Sequence, residues 1–179
     1  GGDLFQLEST QDFYKLLLAI ENATNPVYLV NFIESNYTDL KLDYQKYYTM
    51  SESEKLKSLR EILDKFFLLR MKKTWQEVLN EVYTQPVLYA LKHIYDALQP
   101  WKVYSKNSSS QIFYMANYEY LLEKIVIFSR IDTLTIKQIS KYLEINILTR
   151  QKVLSRATEA DADEIHITCT TVHKSKGLE

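Results

Sequence analysis

From Asp3 to Lys176 the chain contains no glycine; its three glycines are Gly1, Gly2 and Gly177, and its only prolines are Pro26, Pro86 and Pro100. Sandwiches and barrels need turn residues every few positions, so this scarcity argues against both and in favour of helices. It also excludes a phosphate-binding loop of the G-x-x-x-x-G-K-[ST] kind, which cannot be assembled from glycines so placed. With 46% hydrophobic residues among 179, the chain has enough apolar side chains for one compact domain and too many for a disordered one.

Charge and cysteine usage narrow the function classes. Lys and Arg number 22 against 23 Asp and Glu, giving a formal net charge of -1, so neither a strongly basic nucleic-acid module nor an acidic tail is present. Contact with nucleic acid must therefore be local. Cys169 is the single cysteine, which excludes an internal disulfide and a thiolate metal cluster and fits a reducing, cytoplasmic setting. The longest apolar runs, such as Leu16 to Ile20 and Ile125 to Phe128, fall far short of the roughly 20 residues of a membrane span, and no membrane partner is expected. Gly1 to Phe5 lack an initiating Met and signal-peptide character, so the start is expected to be a cloning or excision boundary of something longer.

The pattern predicts a mainly α fold, an irregular multi-helix bundle with a short β-strand near each terminus. After an extended start over 3–6, Ser9 to Asp12 offer a hydroxyl cap and an acid three residues on, and Phe13, Leu16, Leu17 and Ile20 recur at helical spacing, giving a helix over about 10–23. Pro26 opens a second helix bearing Val27, Leu29, Val30 and Ile33. The stretch 35–48 reads as a loop with a short helix near Tyr44. Ser51 and Glu54 form a capping box ahead of a helix over 52–71, with Leu56, Leu59, Ile62, Leu63, Phe66 and Leu69 as its apolar stripe. Thr74 with Glu77 starts a helix through Val82, and Pro86 opens another through Leu98. The polar, Ser-rich run 102–110 reads as a surface loop, followed by helices over about 112–129, 135–143 and 147–156. Residues 165–172, rich in β-branched side chains, read as one strand.

The C-terminal run Thr171-Val172-His173-Lys174-Ser175-Lys176-Gly177-Leu178-Glu179 resembles motif V of the UvrD/Rep-like superfamily I DNA helicases, in the T-x-H-x-x-K-G-L-E form of the RecB and AddA type proteins. Its residue types suit such a site: a hydroxyl and an imidazole can hold a phosphodiester backbone without reading sequence, and a carboxylate can accept from ribose hydroxyls. At the other end, Gly1-Gly2-Asp3-Leu4-Phe5-Gln6 and the later Asp12 match the G-G-x-x-F-[EQ] stretch and Asp that precede the accessory subdomain of those helicases, although Ser9 stands where Glu is usual.

The resemblance implies residues 1–8 as the end of a second RecA-like domain, 9–158 as a helical accessory subdomain of the 2B kind, and 159–179 as the return strand and motif V loop. It further implies that Thr171, His173 and Lys176 contact single-stranded DNA and that Gly177 and Glu179 serve the nucleotide. ATP and Mg2+ would act in the intact protein, an ATP hydrolase working in DNA repair or recombination, and not in this chain alone, which carries no catalytic residue. The implied partners are DNA, single-stranded or at a duplex junction, the remaining helicase domains in cis, and a nuclease domain or subunit.

Other readings compete. Leu134 to Asn146, followed by Thr149, Arg150, Lys152 and Arg156, resembles a helix-turn-helix of a DNA-binding regulator, but Glu144 stands where Gly usually makes the turn. An ordinary amphipathic pair accounts for Ile136, Ile139, Leu143, Ile147 and Val153 as core. A structural helical interaction module is the remaining class. The R-G-[IL]-G turn that related helicases use for duplex contact is absent, with Asn36-Tyr37-Thr38-Asp39 in its place. Asp161-Ala162-Asp163-Glu164 reads as a linker and not a metal box. His93, His166 and His173 have no ligand spacing, so no metal site is expected and His93 reads as a partly buried helix residue. The Tyr and Lys mixtures at 44–48 and 101–106 suggest base stacking, yet half-buried packing with hydroxyls in water explains them as well.

Overall fold

The computed structural model describes residues 4–130 and 134–160, the last eleven of these as backbone only. Among the described residues there are nine α-helices and one 3-10 turn. The expectation of a mainly helical molecule holds. The extended start does not: Leu4–Gln6 is the 3-10 turn, and no strand occurs among the described residues. The strand read over 165–172 lies outside them.

The reason for the 3-10 turn is visible in its hydrogen bonds. Leu4 and Phe5 are buried, and their carbonyls accept from the Thr10 hydroxyl at 2.8 Å and the Gln11 amide at 2.8 Å, which replaces any ladder partner. These two side chains belong to α1 (Glu8–Glu21), so the turn and the helix form one knot. The cap of α1 is correspondingly Leu7, without a side-chain bond, and not Ser9. Ser9 is buried in the first turn instead, which corrects the expected hydroxyl cap.

Punctuation elsewhere follows the sequence. Asn25 accepts from Val27 N at 3.0 Å to start α2 (Pro26–Glu34), and Asp43 caps the single-turn α3 (Tyr44–Tyr47). Reciprocal capping boxes, Ser51 with Glu54 and Thr74 with Glu77, open α4 (Glu52–Met71) and α5 (Trp75–Thr84). Pro86 proves to be the residue preceding α6 (Val87–Leu98) and not its first member.

Two departures are larger. Pro100, expected only to end the preceding helix, begins α7 (Pro100–Tyr104), which runs into the stretch read as a loop. Asn107 accepts from Ser110 N at 3.1 Å, so the serines form the first turn of α8 (Ser108–Ser129). The two helices expected over 135–143 and 147–156 are one, α9 (Ile136–Ala160). Thr135 and Gln138 close a capping box at its start, at 3.0 and 3.2 Å. Asn146, expected in the break, donates back to the Tyr142 carbonyl at 2.8 Å, and Lys141 pairs with Glu144 at 3.2 Å. A helix-turn-helix needs a turn here, and the backbone supplies none.

Helix α1 is central: α2, α8 and α9 pack on it, while α4 packs on α2 and carries α5 and α6. Phe13, Leu16, Leu17 and Ile20 are buried as expected, as are Ile136, Ile139, Leu143 and Ile147 on α9. Phe32, Phe67 and Trp75, with centroids 5.3 to 6.2 Å apart, join α2, α4 and α5. A second aromatic line runs from Phe13 through Tyr118 and Tyr95 to Tyr37, so both halves share one core. Against expectation, Val27, Leu69, Phe128 and His93 are exposed. On α2 and α4 the inward positions are taken instead by Phe32 and Phe67, both fully buried.

Candidate functional site

The residues implied to touch DNA and nucleotide, Thr171, His173, Lys176, Gly177 and Glu179, lie outside the described residues, as do Gly1 and Gly2. The side chains of Arg150, Lys152 and Arg156 are outside them too. Three members of the N-terminal pattern, Phe5, Gln6 and Asp12, are inside. Phe5 meets Tyr142 edge-on at 5.9 Å, and the Gln6 side-chain amide donates to the Ile147 carbonyl at 3.2 Å. The incoming segment therefore lies along α9, the helix that leads toward the C-terminal run.

Asp12 is the chemically unusual group. It sits on the face of α1 beneath the α2–α3 connection and is 2% exposed. One carboxylate oxygen accepts from Tyr114 Oη at 2.7 Å and from Asn36 Nδ2 at 2.8 Å, and the other accepts from the Asn36 backbone N–H at 3.2 Å. Glu8, one turn earlier, takes a second bond from Asn36 Nδ2 at 3.1 Å. Among the described residues no lysine, arginine or histidine pairs with Asp12. Burial pushes its carboxyl up to about 6, against the lowering effect of the Tyr114 and Asn36 hydrogen bonds and with a small further rise from Glu8. The same burial, with Asp12 beside it, holds the Tyr114 hydroxyl well above the ordinary tyrosine range.

The turn that covers Asp12 is the Asn36-Tyr37-Thr38-Asp39 stretch. Ser35 and Thr38 fold it by donating to the Phe32 and Ile33 carbonyls at 2.7 and 2.5 Å, and Asp39 is held by Arg70 of α4 at 2.8 Å. Tyr37 is fully buried and Asn36 half-buried, so this segment faces inward and presents no basic side chain. On its outer side lies a cleft of about 430 Å³ bordered by Glu34, Asp39, Lys41, Tyr44 and Val103. A second groove, of about 610 Å³, runs between the end of α8 and the first turns of α9, with Phe128, Tyr142 and Ile145 beneath Lys137 and Lys141.

In the Tyr and Lys mixtures Tyr47 is buried, Tyr104 half-buried, and Tyr44 and Tyr48 exposed. Tyr48 is 68% exposed with Lys55 Nζ 5.6 Å from its ring centroid, whereas Tyr37, Tyr95, Tyr114 and Tyr118, outside those mixtures, are buried outright. No group of metal-ligating side chains occurs among the described residues, and no helix there is long and apolar enough to cross a membrane. Of the Asp12 cluster, sequence reasoning had singled out Asp12 and Asn36 separately. Tyr114 carried no signal, because its bond to Asp12 spans 102 residues.

No protein-family model, curated protein or solved structure matches the chain.

Proposed function

We propose that the chain is an accessory subdomain of an ATP-dependent DNA helicase of the UvrD/Rep-like group, inserted in the second RecA-like domain, where it orients or regulates the motor. The observation that carries this reading is the nine-residue run Thr171 to Glu179, joined to the pattern of Gly1, Gly2, Phe5, Gln6 and Asp12 at the other end. The packing of Phe5 and Gln6 on α9 is in keeping with it, since it sets the incoming segment against the helix that leads toward Thr171 to Glu179. Thr171, His173 and Lys176 would hold the DNA backbone, and Gly177 and Glu179 would face the nucleotide. The phosphates of ATP and their Mg2+ would be held by other parts of the intact protein, because no phosphate-binding loop can be built from these three glycines.

The regulator reading is disfavoured by the unbroken α9. An interaction module is favoured by one observation, the exposed apolar side chains Ile127, Phe128, Ile145 and Leu148 near the α8–α9 groove.

The test uses the intact protein. His173→Ala is expected to raise the DNA concentration needed to stimulate ATP hydrolysis by about tenfold to a hundredfold, the worth of a hydrogen bond to a charged phosphate, with nucleotide affinity unchanged. Glu179→Ala is expected to weaken ATP affinity while DNA binding without nucleotide persists. Melting curves separate these effects from unfolding. Unaltered DNA and ATP dependence in both folded variants would remove the basis of the helicase reading.

A further inference from the structure

A carboxylate buried without a cation is held only by neutral donors, and at Asp12 two of the three come from one residue, Asn36, which is also its cover. We propose that Asp12 and Asn36 form a proton-operated clasp, in which loss of the Asp12 proton favours release of Asn36 and hydration of the carboxylate beneath it.

The geometry defines which way the clasp moves. With the clasp closed, Asp12 is 2% exposed, and a charge there is stabilised by three neutral hydrogen bonds and opposed by burial and by Glu8. With the clasp open, Asn36 leaves and water reaches the carboxylate, which returns toward its ordinary range. A proton therefore binds the closed form more tightly than the open form, and rising pH must favour opening. The titratable groups facing Asp12 are Glu8 on its own helix, Tyr114 on α8, Tyr37 in the turn itself and Tyr104 on α7. The three tyrosines are held above their usual range by burial, so they stay neutral between pH 5 and pH 8 and leave Asp12 as the group that responds. Tyr114 donates from α8 to the same oxygen as Asn36 Nδ2 and remains in place when Asn36 moves, so the motion is confined to the α2–α3 connection. Ser35, Tyr37 and Thr38 are buried on either side of half-buried Asn36 and stay seated, so the moving part is Asn36 itself.

The Asn36 backbone N–H, which donates to Asp12, reports directly on opening. Its hydrogen-exchange protection factor, corrected for the intrinsic rate at each pH, is expected to fall about tenfold between pH 5.0 and pH 7.5, the change linkage gives for a carboxyl moving from about 6 closed to 3.8 open. Buried amides of α4 should keep constant protection. In Asp12→Asn the fall should vanish, with the Asn36 amide equally protected at both pH values. Glu8→Gln should retain most of it. A carboxyl 13C titration of the unaltered chain gives a second readout that needs no variant to fold, and a midpoint near 6 for Asp12 is expected. Constant Asn36 protection in the unaltered chain, an Asp12 midpoint near 4, or an undiminished fall in Asp12→Asn would each overturn the clasp.

Discussion

The hydroxyls of Tyr37, Tyr95 and Tyr118 are buried and make no hydrogen bond among the described residues, whereas that of Tyr114 donates to Asp12 at 2.7 Å. The two kinds of tyrosine should respond oppositely to loss of the oxygen. A buried polar group without a partner costs about 1 to 3 kcal/mol, so Tyr37→Phe and Tyr118→Phe should leave stability unchanged or raise it by about 1 kcal/mol. Tyr114→Phe removes a donor to a charged acceptor and should cost about 1.5 to 3 kcal/mol at neutral pH. Urea denaturation at pH 7.5 measures all three, and a loss of more than about 1 kcal/mol in Tyr37→Phe would mean that its hydroxyl has a partner after all. None of this is written locally in the sequence. Tyr114 and Tyr118 sit one turn apart on the same face of α8, and only the α1 residues opposite them, Asp12 and Phe13, decide which hydroxyl is used.

Helices were legible where their ends announce themselves. Ser51 with Glu54 and Thr74 with Glu77 fixed the starts of α4 and α5 within a residue, because a capping box is a local interaction between side chains and the adjacent backbone. The misreadings have an equally local cause. Serines at 108–110 and Asn146 look like loop residues, but a serine in a first turn and an asparagine that bonds back four residues are both compatible with helix. The interior of the chain also ends helices without glycine: Lys72 and Gln99 adopt φ of 62° and 51°, the left-handed region, and Arg130 has φ 54° with ψ -119°. Such conformations cost an L-residue about 1 to 2 kcal/mol, partly offset in glycine by its larger backbone entropy when unfolded. Lys72→Gly is therefore expected to stabilise the chain by up to about 1 kcal/mol, while Lys57→Gly within α4 should destabilise by about 1 kcal/mol. Thermal melts of the pair check it, and equal losses would show that the αL cap carries no strain.

At the scale of the molecule, the aromatic chain from Phe13 to Tyr37 and the Phe32, Phe67 and Trp75 group tie α1, α8 and α9 to α4, α5 and α6. One shared core implies one cooperative unfolding event. The two tryptophans report on different halves: Trp75 is packed against Phe67 of α4, and Trp101 lies 5.0 Å from Tyr95 beside α8. In Trp101→Phe and Trp75→Phe, each leaving a single tryptophan to be excited selectively, the urea transitions of its fluorescence should follow the far-ultraviolet signal of the same variant. A fluorescence midpoint separated from the circular dichroism midpoint in either variant would show that the halves come apart.

The unbroken course of α9 makes it a mechanical shaft. Its first turns are seated in the core through Ile136, Ile139, Leu143 and Ile147, and its 25 residues contain neither glycine nor proline at which to bend. At 1.5 Å per residue the helix is about 37 Å long, with about 20 Å beyond Ile147. A tilt of roughly 10° about that point would carry its far end about 3 Å, a stroke that a two-helix arrangement would dissipate in its joint. A displacement of the seated turns is thus carried along one helix to Ala160, with no joint to absorb it.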